Sequence, residues 1–316
     1  MGKIGASFVA ACALLLCFSA FELHAAEAAR RDSVKYYVKA RGLFHLRTRT
    51  DVSSTNFMFT GDGSDDSFSL ITETPIRLKQ NIGFGVGPLF LNFGIALNGK
   101  SPDTSFGANI LGKIVSFNIN YSHMSSMSGK GAVTADQIVV IPAGSMNHSC
   151  LQARLLITPN GKRFSLPAAL NQNTIQKRSA GSIFFCLNGT AMNTHNRENS
   201  GWPLPDLSVE NVCAGAGLGY GYNWVPVERL LVHASFAGGP GIIQRSWTDV
   251  NGVKQEHKGS PSADVFGNIA CIYHFPKHWY IGAFASFERI FTISSTAQYV
   301  FTQGKSDAHL ALGVRF

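Results

Sequence analysis

Charge is scarce in this chain. Asp, Glu, Lys and Arg make up 15% of its 316 residues, against roughly a quarter in soluble domains. Hydrophobic residues reach 45%, so the chain is too apolar and too weakly charged for disorder. It also lacks the Ala, Glu, Lys and Leu richness of coiled coils and helical repeats. Long apolar runs are nearly absent: the one present, Ile4 to Phe21, lies at the very start, which excludes a polytopic helical membrane protein. Cysteine is sparse, with six in all and no C-x-x-C pair, so neither a zinc nor a redox motif is present. No run of five or six like charges occurs, which argues against a nucleic-acid partner. What the chain has in quantity is glycine (32) and phenylalanine (23), at a mean hydropathy of +0.06.

Lys3, the apolar run and Ala26-Glu27-Ala28 together have the three-part form of a cleaved secretory signal peptide, expected over residues 1–28. Val9-Ala10-Ala11-Cys12 loosely resembles a lipid-attachment site, but the apolar run continues past Cys12, which favours an ordinary hydrophobic cysteine. Removing residues 1–28 takes away Lys3, Glu22 and Glu27 and raises the formal net charge from +8 to +9. That balance suits anionic solutes, phospholipid headgroups or lipopolysaccharide phosphates. Cys150, Cys186, Cys213 and Cys271 remain, scattered singly, and are expected to be isolated thiols.

The strongest pattern has period two. Between 212 and 224 the even positions Val212, Ala214, Ala216, Leu218, Tyr220, Tyr222 and Trp224 are apolar, and the odd ones are small or polar. Leu89 to Leu97, Val115 to Tyr121 and Trp279 to Phe287 repeat it. Strands of this kind fit a sandwich core or a barrel with its apolar face in lipid. Aromatics near strand ends (Tyr220, Tyr222, Trp224, Phe275, Trp279, Tyr280) favour the barrel, since a bilayer interface attracts them. So does the alternation of short turns, at 225–228 and 276–277, with long polar stretches at 124–149, 191–208 and 244–261. The chain ends in the same register on Leu310, Leu312, Val314 and Phe316, which resembles the terminal assembly signal of bacterial outer-membrane barrels.

Thirteen segments read as strands: 34–47, 66–74, 82–87, 89–98, 104–111, 115–123, 150–157, 179–190, 210–225, 229–243, 262–275, 278–290 and 307–316. A bacterial single-chain barrel needs an even number. The Gly87-Pro88 break makes 82–87 and 89–98 the weakest pair, because it could be a kink within one strand. We therefore expect one all-β domain over residues 29–316, an antiparallel transmembrane barrel of about twelve strands, ten and fourteen being the alternatives.

Motifs for chemistry are few. The glycines of 215–221 do not fit G-x-G-x-x-G and are expected to line a narrow lumen or admit a close-packed loop. His274 and His278 have i, i+4 spacing, but Pro276 puts them in a turn without further zinc ligands. No catalytic, metal or cofactor residue is therefore assigned. Ser122-His123-Met124-Ser125-Ser126 and His233 with Ser235 are the local pairs that a lipid-cleaving barrel enzyme could use, and both also read as ordinary polar residues. In 34–47, Lys35, Lys39, Arg41 and Arg47 share one face. Parity adds Arg154, Arg229 and Arg315 to the lumen, against Glu210, Asp264, Glu288 and Asp307. A basic lumen (Lys35, Lys39, Arg41, Arg47, Arg154, Arg229) would favour anions, unless its charges pair across the barrel. Inward Tyr280, Phe284, Phe266 and Phe90 are expected to fill part of the interior.

Gly161-Lys162-Arg163-Phe164-Ser165-Leu166-Pro167-Ala168-Ala169, Gln176-Lys177-Arg178-Ser179-Ala180-Gly181-Ser182 and the terminal Gly313-Val314-Arg315-Phe316 carry a resemblance. They resemble a family of Bacteroidota outer-membrane barrels filed as domain of unknown function 4421. The resemblance spans most of residues 34–316. It implies a barrel in the bacterial outer membrane, in contact with its lipids and with the barrel-assembly machinery, and no substrate. Residues 158–178 form a long connection where a short periplasmic turn is expected, which suggests a periplasmic element or an inner constriction.

Three functions follow as expectations: a porin-like channel or binding barrel for anionic solutes, an enzyme acting on lipid A or phospholipid, and a closed barrel whose outer loops bind a partner. The terminal register also generates a test. Phe316→Asp is expected to cut the amount of inserted, heat-modifiable barrel several-fold, measured by gel shift of outer-membrane fractions. Insertion at the normal level would dismiss the assembly signal.

Overall fold

The computed structural model describes residues 35–40, 42–61, 68–98, 103–134, 137–196, 207–250, 253–258, 262–276, 278–294 and 299–316. The expected signal peptide, Arg41 and Lys277 lie outside them. Strand β1 is Tyr37–Lys39, β2 Phe44–Gly61, β3 Phe68–Glu73 and β4 Arg77–Val86. They are followed by β5 Leu89–Ala96, β6 Thr104–Leu111, β7 Val115–Thr134 and β8 Gln137–Ile157. Helix α1 (Leu166–Leu170) and β9 (Thr174–Gln176) precede β10 Ala180–Asn196, β11 Leu207–Trp224 and β12 Leu230–Val250. The chain closes with β13 Val253–Lys258, β14 Ser262–His274, β15 Trp279–Ser294 and β16 Tyr299–Arg315.

Twelve of these form the wall, each antiparallel to its neighbours, in the order β2, β4, β5, β6, β7, β8, β10, β11, β12, β14, β15, β16. β16 then pairs with β2 from Tyr299↔Gly61 to Arg315↔His45 and closes the ring. Closure satisfies every edge, the condition for strands that stand in lipid. One end carries the short turns, the start of the described chain and Phe316, and we call it the turn end. The opposite, hairpin end carries β3 and β13: β3 pairs with both β2 and β7, and β13 folds back on β12.

Alternation explains the wall. Outward Leu218, Tyr220, Trp224, Phe236, Ile269, Ile281 and Leu310 are exposed to the surroundings, while inward Asn223, His233, Ala270 and Ile272 are buried. These outward side chains make an apolar belt with Trp224, Phe275 and Trp279 at its turn-end rim, where an interface accepts aromatics. Tyr280, counted by sequence both among the strand-end aromatics and among the inward ones, is buried inside the barrel.

Farther toward the hairpin end the pattern reverses phase. Outward positions become polar, as at Asn56 and Arg289. Inward ones become apolar, and Phe57, Met127, Met146, Met192, Val209, Ile290 and Phe301 join in one buried cluster. The wall here has left the belt, so water replaces lipid outside and a conventional core forms within. This explains a misreading: the described residues of 124–149, 191–208 and 244–261 belong to extensions of β7, β8, β10, β11 and β12 and to β13, while 197–206 lie outside the described residues.

The strand count holds at twelve, although its parts differ from expectation. β4 and β5 are separate strands, joined by a tight turn in which Gly87 takes φ +58°. The surplus segment was 66–74, which becomes β3 beyond the short β4, β5 and β6. Residues 34–47 do not form one strand either. Gly42, at φ +99°, turns the chain sharply between β1 and β2. A Cβ there would come within 2.8 Å of Phe316 N, so the turn requires glycine.

All four cysteines in the described residues are free; Cys150, Cys186 and Cys213 are buried and Cys271 faces outward. Of these four, a lipid-soluble maleimide is therefore expected to label Cys271 alone in the folded barrel. The other three should react only after unfolding, as counted by intact-mass spectrometry.

Candidate functional site

The lumen is built from the turn end upward. Residues 158–178 do not lie outside the barrel as a loop; they fold back into its mouth as a plug. Ser165 caps α1 by accepting from Ala168 N at 3.2 Å, and Pro167 suits the first turn. Phe164, Leu166, Ala168 and Ala169 are buried. Phe164 and Leu166 pack with Leu156, Phe184, Ala237 and Phe266 of the wall, a burial worth about 2 kcal/mol for each large side chain. The glycine face of β11 makes room for them: a Cβ on Gly221 would stand 2.9 Å from the Phe164 ring.

Polar groups lock the plug in place. Gln176 is buried with all four hydrogen-bond capacities used. Its Oε1 accepts from Ser165 N (3.1 Å) and Asn223 Nδ2 (3.1 Å), and its Nε2 donates to Arg163 O (2.7 Å) and Arg178 O (2.9 Å). Asn223 also donates to Ser165 O at 2.9 Å. From β2, Arg47 donates to Leu170 O (3.1 Å), Gln172 Oε1 (3.3 Å) and Asn92 Oδ1 (2.9 Å), with its guanidinium 4.2 Å from the Phe90 ring centre. At the mouth, β1 pairs with β9, so the start of the described chain is tied to the plug.

Beyond the plug lies a polar chamber of about 270 Å³. Arg47, Arg49, Lys79, Arg154 and Lys305 line it, with the carboxylates of Asp51, Glu288 and Asp307 and the imidazole of His309. Many of these charges pair. Arg154 reaches across the barrel from β8 to Glu288 on β15 at 2.8 Å and lies 3.6 Å from the Phe266 ring centre. Arg49 meets Asp51 at 2.9 Å. Above the chamber, Gln303 Nε2 stands 3.3 Å from His148 Nε2, spanning the interior beneath the apolar cluster. The lumen is thus stopped at both ends.

The sequence-derived basic cluster separates accordingly. Arg47 and Arg154 line the chamber. Lys35 and Lys39 are exposed at the mouth, in and before β1, which is not a wall strand, because the Gly42 turn breaks the parity that placed them in the lumen. Arg229 is exposed in the β11–β12 turn, and Arg41 lies outside the described residues. Arg315, Asp264, Glu288 and Asp307 point inward as parity indicates, whereas Glu210 faces out. Lys79 and Lys305 were missed, although the period-two register of β4 and β16 carried the signal. Leu310, Leu312 and Phe316 are outward and exposed, with Val314 partly so.

Three arrangements invite chemistry. Ligand atoms of Asp51, Asp307 and His309 lie within 4.8 Å of one another, the spacing of a cation cradle, but the Arg49 guanidinium already sits on Asp51. His233 Nε2 is 3.0 Å from Ser235 Oγ and its Nδ1 is 2.7 Å from Asn223 Oδ1, the distances of a nucleophile, base and orienting group. His233 is nevertheless fully buried beside Phe164, and Asn223 is committed to the plug. On the outer wall His123 Nδ1 meets Ser149 Oγ at 2.9 Å, not Ser122 or Ser125, and no group among the described residues orients its other nitrogen. His274 and His278 do come to one groove, but His274 Nδ1 accepts from Arg315 at 3.1 Å, which is no place for a metal ion.

Residues 30–316 match the family described as Domain of unknown function (DUF4421). The chain belongs to that family. The stretches that carried the resemblance in sequence, 161–169 and 176–182, are in this member of the family the plug and the start of β10. No curated protein matches the sequence. Among solved structures, the outer membrane protease OmpT of Escherichia coli is similar at 6% identity and a TM-score of 0.48, covering 86% of this chain and 96% of that one. The translocator domain of the autotransporter NalP of Neisseria meningitidis is similar at 11% identity and a TM-score of 0.44, covering 97% and 98%. The toluene transporter TodX of Pseudomonas putida follows at 9%, 0.32, 87% and 90%.

Arg47→Met removes the guanidinium that holds the plug carbonyl of Leu170 and is expected to cost about 3 kcal/mol. Limited trypsin digestion should then cut at the exposed Lys162 and Arg163 at least several-fold faster than in the parent. Equal cutting would show that Arg47 does not retain the plug.

Proposed function

We propose that the protein is exported with a signal peptide over residues 1–28, resides in the bacterial outer membrane, and works as a closed binding barrel, not a diffusion pore. The observation that carries this is the plug. Its buried amides and carbonyls are satisfied by Gln176, Asn223 and Arg47, so opening the mouth would strand several of them at about 1–3 kcal/mol each. The Phe57–Phe301 cluster stops the other end independently. The apolar belt supports lipid as the surrounding medium, and Leu310, Leu312, Val314 and Phe316 supply an outward strand face for the assembly machinery.

Enzymatic action on lipid A or phospholipid has less support, since the His233 beside Ser235 is fully buried and the His123 pair is incomplete. Permeation of anionic solutes has the basic surplus of the chamber behind it, and lacks an open path. Polar ligands would meet this protein at its ends.

The purified protein in a planar bilayer is expected to give no steady conductance, while migrating as a heat-modifiable band from the outer-membrane fraction. A steady, anion-selective current would overturn the closed barrel. Recovery in the soluble periplasm would overturn the placement.

A further inference from the structure

Arg315, at the end of β16, is buried to 4% exposure, and among the described residues its guanidinium pairs with no carboxylate. One Nη donates to His274 Nδ1 at 3.1 Å, the Tyr280 ring centre lies 4.9 Å away, and Nε has no partner. Because His274 Nδ1 accepts, the proton of that ring is on Nε2, which is also buried and unpartnered. Two buried donors without acceptors, one of them fully charged, are costly to keep.

Both side chains line a groove of about 590 Å³ at the turn end, together with Lys39, Lys177, Arg229 and His278. The groove's carboxylate, Glu228, is engaged by Lys177 at 3.4 Å. The β11–β12 turn holds Arg229 at φ +76°, and His274 N donates to Arg229 O at 2.9 Å, so that turn is fastened to the groove wall.

We propose that this groove is an anion site for a phosphate group, with Arg315 and His274 supplying the buried donors and Lys39 and Arg229 the outer charges. A phosphate oxygen accepts from a guanidinium in the geometry that Arg315 leaves unused. The groove opens beside outward Phe275 and Trp279, level with the interfacial rim of the belt. The phosphate can therefore belong to an anionic phospholipid headgroup of the adjoining leaflet or to a soluble phosphate. The lipid source, though not the anion site, rests on the membrane placement proposed above.

The test uses the purified full barrel in detergent, beside a Lys39→Gln/Arg229→Asn variant; asparagine tolerates the left-handed turn. Retention of phosphatidylglycerol against phosphatidylcholine is read by native mass spectrometry, and stabilisation by inorganic phosphate against chloride by thermal unfolding. A preference for phosphatidylglycerol that falls about tenfold in the variant, the effect of roughly one charge-assisted contact, supports the site with a lipid source. Stabilisation by phosphate without lipid preference, again lost in the variant, supports it with a soluble source. Arg315→Gln is expected to abolish either signal while heat-modifiable migration reports a folded barrel. Equal retention of both lipids with no phosphate effect, or a signal unchanged in the variants, overturns the proposal. Phosphate binding by protein recovered outside the membrane would overturn the placement alone.

Discussion

The pairing of β16 with β2 is the contact on which the molecule depends. In hydrocarbon no water is available to an unpaired strand edge, so the first and last wall strands must meet or neither is tolerable. The same pairing assembles the interior. β2 brings Arg47, Arg49 and Asp51, and β16 brings Lys305, Asp307, His309 and Arg315. Before the seam closes these residues lie about 260 positions apart in the chain, a separation that loop-closure entropy penalises; once it closes they share one wall. Chamber and groove are both products of the seam.

Filling the mouth with a chain segment brings a difficulty that a side-chain plug does not. Backbone amides and carbonyls enter the lumen and must find partners there. One glutamine, Gln176, meets three of these needs at once and takes its fourth hydrogen bond from the Asn223 side chain, while Asn223 and Arg47 meet others from the wall. The apolar side of the segment then rests on β11 glycines and on Phe184, Leu156 and Ala237. Polar satisfaction fixes where the plug sits, and apolar burial supplies most of its hold.

Much of this was legible in the sequence because lipid outside and polar groups inside impose one parity on each strand. That rule gave the twelve-stranded wall, the inward Arg154, Glu288 and Arg315, and the outward terminal face. It failed where its physical premise ceased. Past the belt, water replaces lipid, Met146, Met192 and Ile290 turn inward, and the phase shift made long strands look like loops. At Gly42 a left-handed turn broke parity, so Lys39 was read as lining the lumen and stands in the outer groove instead. Arg229 was misplaced for the same reason, at its own left-handed turn. The plug's role was only half visible: its length marked it as unusual, but nothing local reveals that Gln176 faces Asn223 across a mouth.

The placement of β3 has a geometric consequence for the hairpin end. There one strand bridges β2 and β7, whereas nearer the turn end β4, β5 and β6 fill the same interval. Exchanging three strands for one removes two strand widths, about 10 Å, from the perimeter, and the bore of a barrel shrinks with its strand number. The wall therefore tapers like a flask toward a neck. At that neck the bore is reduced to the thickness of packed side chains, and Phe57 and Phe301, 5.1 Å apart between ring centres, fill what is left of it.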